Sequence, residues 1–131
     1  MDDSAEDAVS GGQRLQVDPA TCTAADLVAA GAWLTNGGIV AFPTDTLYGL
    51  AVNVRDAAAV RRLFDLKGRA VRAALPLIAA STAQVVAATG ALSAREAILA
   101  STFWPGPLSV VRDAPAWMPA EVHGGHRTVA I

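Results

Sequence analysis

The sequence predicts an α/β domain, with a sheet of mixed strand directions and flanking helices, from three observations. Ile39-Val40-Ala41-Phe42 is a continuous apolar run of the kind found in strands buried on both faces. Asp56 is followed by Val60, Leu63 and Phe64 on one helical face, and Gly68 closes that segment. Strand-like and helix-like segments then keep alternating as far as Ile131, which is the pattern of an α/β sheet.

In chain order, residues 1 to 13 carry Asp2, Asp3, Glu6 and Asp7 before Gly11-Gly12, and they read as a disordered leader to a domain over 14–131. Leu15–Val17 is expected to form a short edge strand ending at Asp18-Pro19. Thr23 is placed to cap a helix holding Leu27, Val28, Trp33 and Leu34, with Asn36-Gly37-Gly38 as its stop. Strands are predicted for Ile39–Phe42 and Leu50–Val54, and a helix capped by Asp56 follows. Leu75–Ala79 reads as another strand. Ser81 with Gln84, and Ser93 with Glu96, form capping-box patterns at the starts of two further helices. Trp104-Pro105-Gly106-Pro107 ends the second of these, Leu108–Val111 is expected as a strand, and a Pro- and Gly-containing loop leads to a final strand at Thr128–Ile131.

Composition narrows the class of function. A length of 131 residues with 53% hydrophobic content suits one domain with a real core. The net charge of −2 argues against nonspecific nucleic-acid binding as the main activity, although a local basic groove stays open. A single cysteine, Cys22, excludes an internal disulfide, and no Cys/His cluster of metal-binding type is present. No apolar stretch reaches the roughly 18 residues of a membrane span, and the acidic N-terminus lacks the basic start of a signal peptide. These features point to a soluble, cytoplasmic protein that binds no membrane.

Positive charge comes from nine arginines and a single lysine, and that lysine stands in Leu66-Lys67-Gly68-Arg69. A compact ammonium beside a planar guanidinium suits a phosphate chain; the plainer alternative is solvated charge at the negative end of a helix dipole. Upstream, Thr44, Thr46 and Tyr48 offer hydroxyls at a strand-to-loop exit, where α/β sheets place ligand clefts. Asp45 beside them is suited to an ammonium group or a magnesium-bound water. The alternative for Thr44-Asp45-Thr46 is a turn that satisfies its own backbone. Tyr48 is either a wall of the cleft or a half-buried aromatic. Trp104 is expected in a packed turn, His123 and His126 in a surface loop, and Cys22 to be inert.

The segment Gly37-Gly38-Ile39-Val40-Ala41-Phe42-Pro43-Thr44-Asp45-Thr46-Leu47-Tyr48-Gly49-Leu50 closely resembles the opening signature of the YrdC-like family. The resemblance continues through Lys67-Gly68-Arg69, Phe103-Trp104-Pro105-Gly106-Pro107-Leu108-Ser109, Gly124-Gly125 and Thr128-Val129-Ala130, covering residues 15 to 131 in order. It implies a twisted open mixed sheet with flanking helices and the activity of an L-threonylcarbamoyladenylate synthase. Such enzymes condense L-threonine, bicarbonate and ATP, with Mg2+, into threonylcarbamoyl-AMP and pyrophosphate, using no tightly bound cofactor. Other proteins then transfer the group to tRNA. The resemblance assigns Lys67 and Arg69 to the ATP phosphates and the reacting carboxylate, and Thr128 and Ser109 to the nucleotide. Thr44, with Asp45, Thr46 and Tyr48 around it, is assigned to threonine, and no residue is assigned to a resident metal.

The sequence departs from the family at Ala70, where proline is frequent, and at Ala74, where proline or glycine is frequent, and Ser109 stands where threonine is common. In the family an arginine, a helix and a Ser-x-Asn element follow the Thr-Val-Ala strand, whereas this sequence ends at Ile131. The expectation is therefore a C-terminally truncated domain, with an active parent protein and impaired activity in this chain alone. Three other readings remain: a noncatalytic module binding tRNA or double-stranded RNA, a carbamoyl-phosphate-using relative, and an inactive fragment. The second is disfavoured by the single cysteine, because such proteins carry zinc-finger-like Cys clusters.

Overall fold

The computed structural model describes residues 12–68 and 73–131. Most of the expected leader, and the expected contacts of Arg69 and Arg72, therefore lie outside the described residues. Within them a 3-10 turn (Ala24–Leu27) runs into α1 (Val28–Thr35), followed by β1 (Val40–Phe42), β2 (Gly49–Ala51) and α2 (Ala57–Lys67). Next come α3 (Thr82–Thr89), α4 (Ala94–Phe103), β3 (Val111–Asp113), α5 (Ala120–His123) and β4 (Thr128–Ala130).

The helix starts follow their capping chemistry. Asp56 Oδ1 accepts from the amides of Ala58 and Ala59 at 2.9 and 3.0 Å, and Gly68 ends α2 in the left-handed region at φ 57°. Ser93 accepts from the Glu96 amide while Glu96 accepts from the Ser93 amide, the reciprocal box expected at α4. At α3 only half of the expected box forms. Ser81 accepts from Gln84, but the Gln84 side chain turns one residue further back, to the amide of Ala80. Thr23 opens its helix with the Asp26 carboxylate accepting from both its amide and its hydroxyl, each at 2.7 Å.

The described strands form two separate two-stranded antiparallel sheets. β1 pairs with β2 through Val40 opposite Ala51 and Phe42 opposite Gly49, and β3 pairs with β4 through Arg112 opposite Val129 and Asp113 opposite Thr128. Val110 and Ile131 extend the second pair by exchanging hydrogen bonds of 2.8 and 3.0 Å. The expected strand at Leu75–Ala79 reduces to one rung, Leu77 N–H to Ala130 O at 2.8 Å. Pro76 explains this, since it brings no amide to a ladder. The expected strand at Leu108–Val111 instead starts at Val111, because the turn after Trp104 carries on through Leu108, whose amide bonds Gly106 O. Leu15–Val17 is irregular rather than a strand, a three-residue run too short to hold extended form without a paired neighbour.

Burial centres on α2. Its Val60, Leu63 and Phe64 pack with Leu75, Met118, Val122 and Val129, flanked by Ile39, Leu50, Val52, Val54, Leu77 and Ile131. Full burial of such side chains stabilises by roughly 1.5–3 kcal/mol each before chain entropy is counted, so this one cluster dominates the fold. Arginines brace its rim. Arg61 pairs with Glu121 at 2.6 Å, Arg62 donates to Gly37 O, and Arg55 stacks 4.1 Å above the Trp117 ring. By contrast α1, apolar on every side, buries none of its residues, and Trp33 is half exposed.

Candidate functional site

An open cleft of about 620 Å3 lies at the end of the β3–β4 pair. One wall is the run Leu77–Thr82 with Val85 of α3; the facing wall is Trp104, Pro105, Gly106, Leu108 and Ser109, with Ile131 between them. The second wall is held by its own turn. Trp104 Nε1 donates to Leu108 O at 2.7 Å, locking the indole across Pro105-Gly106-Pro107 as expected for a packed turn. Gly106 is required there, since a Cβ would come within 2.3 Å of Phe103 O.

Of the residues singled out in the sequence, Ser109 lines this cleft, exposed at its mouth. Thr128 lies on β4, three residues before the lining residue Ile131 and opposite Asp113. Lys67 is exposed on the last residue of α2, where Gly68 turns the chain. Thr44, Asp45, Thr46 and Tyr48 form the exposed connection between β1 and β2, with Tyr48 76% exposed. None of these last six residues is among those lining the cleft.

The β1–β2 connection is organised by Thr44. Its hydroxyl accepts from the amides of Thr46 and Leu47 at 3.2 and 3.1 Å and donates to Leu47 O. The self-satisfying turn weighed against a ligand role is thus present. It also leaves the side chains of Leu47 and Tyr48 largely in solvent. His123 ends α5 rather than lying in the loop expected for it; its Nδ1 accepts from the Arg127 amide at 3.3 Å, and Arg127 takes a left-handed φ of 60°, just before Thr128.

A residue the sequence did not reveal ties β3 to α4 and to the segment between α3 and α4. Arg112, in the middle of β3, keeps only 9% of its side chain exposed. Its Nη1 donates to Glu96 Oε1 at 2.7 Å, and its Nη2 donates to Ala91 O and Gly90 O at 2.9 and 3.2 Å. The Glu96 carboxyl is held below its usual value, first by the Ser93 amide and hydroxyl and then by Arg112. No local pattern marks a buried arginine in a strand; only its distant partners justify it. Among the described residues no group of three or more His, Cys, Asp or Glu side chains gathers, and no helix is long and apolar enough to cross a membrane.

Comparison with known proteins places this architecture. Residues 32–131 match the Sua5/YciO/YrdC family, described as "Telomere recombination". The chain belongs to this family. A threonylcarbamoyl-AMP synthase of Thiobacillus denitrificans is 41% identical over 100 residues, covering 76% of this chain and 53% of the relative. That of Halorhodospira halophila is 42% identical over 102 residues, covering 78% and 53%. The solved structure of Pyrococcus abyssi Sua5 complexed with L-threonine superposes with a TM-score of 0.74 at 37% identity, over 80% of this chain and 31% of that one. This YrdC-like chain thus spans about half the length of the two bacterial relatives, and a third of the archaeal one.

Proposed function

We propose that this YrdC-like domain serves a threonylcarbamoyl-AMP synthase. The carrying observation is identity above 40%, over three quarters of the chain, to two proteins of that name. L-threonine takes up bicarbonate to give an N-carboxylate and water; that carboxylate attacks the α-phosphate of ATP, and pyrophosphate leaves. Negative charge builds on the phosphate oxygens, so the protein's task is to place cations and hydroxyls before the reaction starts.

Lys67 and Arg69, on either side of the Gly68 turn, take the phosphates and the reacting carboxylate. Thr128 on β4 and Ser109 at the cleft mouth take the nucleotide. The β1–β2 connection takes threonine, with the Thr44 turn presenting Asp45, Thr46 and Tyr48. Asp45 is suited to the substrate ammonium, and Mg2+ enters with ATP. The product passes, in the cytoplasm, to proteins that modify tRNA. The noncatalytic RNA-binding reading gains nothing from the fold, because Arg55, Arg61, Arg62 and Arg112 are engaged within the protein.

The test is a thermal melt of the chain with MgATP, L-threonine and bicarbonate, followed by pyrophosphate release. A ligand at a hundredfold excess over its dissociation constant stabilises by roughly 2.7 kcal/mol. A raised midpoint is expected, and Lys67→Ala should abolish the MgATP part of it. Equal shifts in Lys67→Ala and the unsubstituted chain would overturn the assignment of Lys67.

A further inference from the structure

Three segments connect Arg112 along the chain to residues that line the cleft. β3 begins two residues after Ser109 of one wall. α3 starts at Thr82 in the facing wall, and the carbonyls just past its end, Gly90 O and Ala91 O, accept from Arg112 Nη2. α4 begins at the Ser93–Glu96 box, where Glu96 accepts from Arg112 Nη1, and runs to Phe103, next to the wall residue Trp104. One guanidinium therefore fastens the far ends of the segments whose near ends form both walls.

We propose that Arg112 is a positioning residue that fixes the spacing of the cleft walls, and through it the affinity for the nucleotide. The inference rests on reading the cleft as the nucleotide's site. A helix the length of α3 spans roughly 12 Å, so a small loss of anchorage at one end moves the other. The planar fork is essential to this role. Nη1 and Nη2 serve a carboxylate and two carbonyls in different elements at once, which a lysine ammonium cannot reproduce. Nε, by contrast, is buried without a partner, so the side chain is oriented by its two ends alone. Thr89 O, at 3.4 Å, is a marginal third acceptor. Sequence spacing conceals all of this, because Glu96 and Ala91 are distant from Arg112 along the chain.

Spacing is read directly with spin labels at Thr82→Cys and Ser109→Cys in a Cys22→Ser chain. Affinity is read separately, by titrating the unlabelled protein with MgATP and following tryptophan fluorescence. Arg112→Lys and Glu96→Gln are the variants; glutamine can still close the helix box, so Glu96→Gln keeps the fold while removing one arm. The expected result is a single narrow label distance in the parent, a broader one in both variants, and MgATP affinity weakened about tenfold in Arg112→Lys. An unchanged distance distribution in both variants overturns the proposal, as does broadening without loss of affinity in a chain that binds MgATP. If the unsubstituted chain binds no MgATP, the nucleotide reading of the cleft fails, and the label distances alone decide whether Arg112 sets the walls.

Discussion

Gly37 links the turn before β1 to the start of α2, and replacing it with alanine separates two kinds of cost. Its φ is +82°, and a Cβ built there lies 2.6 Å from Asp56 Oδ2 and 3.2 Å from Arg62 Nη2. The left-handed backbone costs an alanine about 1–2 kcal/mol. Asp56 must also move, and it caps α2 through Ala58 and Ala59, a contribution of about 1 kcal/mol. Disturbing the bond from Arg62 to Gly37 O adds to this, so Gly37→Ala should cost about 2–4 kcal/mol. Gly68 supplies the comparison: φ is +57°, but among the described residues nothing lies within 4 Å of a Cβ there, so Gly68→Ala should cost only the backbone share. Gly31, inside α1 with open space around it, should gain about 0.5–1 kcal/mol as alanine. Urea unfolding with a constant slope measures all three. If Gly37→Ala costs no more than Gly68→Ala, the contact with the Asp56 cap is irrelevant and the reasoning fails. Introducing Gly37→Ala into an Asp56→Ala chain checks the cause, since the penalty should then fall by the cap's share of about 1 kcal/mol, leaving the backbone and Arg62 shares.

Three further outcomes follow from contacts already described. Ser81→Ala, which deletes the cap of α3, should cost about 1 kcal/mol in the same urea assay, and an unchanged midpoint would remove Ser81 from the account of that helix. Thr44→Val should speed hydrogen exchange at the amides of Thr46 and Leu47, whereas Thr44→Ser should leave it near the original rate. Glu96 and Asp26 are both held below their usual values of 4.5 and 3.8 by hydrogen bonds from Ser93 and Thr23. Depressed carboxyls contribute stability above their unfolded values and lose it as pH falls through the folded ones. Stability should therefore decline on acidification below those values, and less steeply in Glu96→Gln; parallel pH profiles would contradict this.

Local signals in the sequence located what local chemistry controls. Asp56, Ser93 and Gly68 each act through neighbours two to four residues away, and the helices they bound are present. The apolar run at Ile39–Phe42 likewise yields β1. Errors arose where a distant partner or a missing donor decides. Leu75–Ala79 has the apolar content of a strand, but Pro76 leaves it a single rung to Ala130. α5 is four residues long, with too little periodicity to stand out from its loop, yet its Val122 is fully buried. For the cleft, the family resemblance pointed to Ser109, which lines it, and to Thr128, which does not, whereas Arg112 was indistinguishable from any other arginine until its partners Glu96, Gly90 and Ala91 were seen.

That difference bears on how charge should be counted in such a chain. A tally of nine arginines invites a search for a basic binding face, yet four of them have partners within the protein. Arg55 stacks on Trp117, Arg61 pairs with Glu121, Arg62 holds the Gly37 turn, and Arg112 ties the two helices to β3. Each uses the flat guanidinium to reach a ring, a carboxylate or a carbonyl, tasks for which an ammonium is poorly shaped. The sole lysine sits exposed at the end of α2, and a movable point charge suits a phosphate. The division of labour between the two cation types makes Lys67, rather than the arginine count, the residue at which the proposed phosphate contact is best tested.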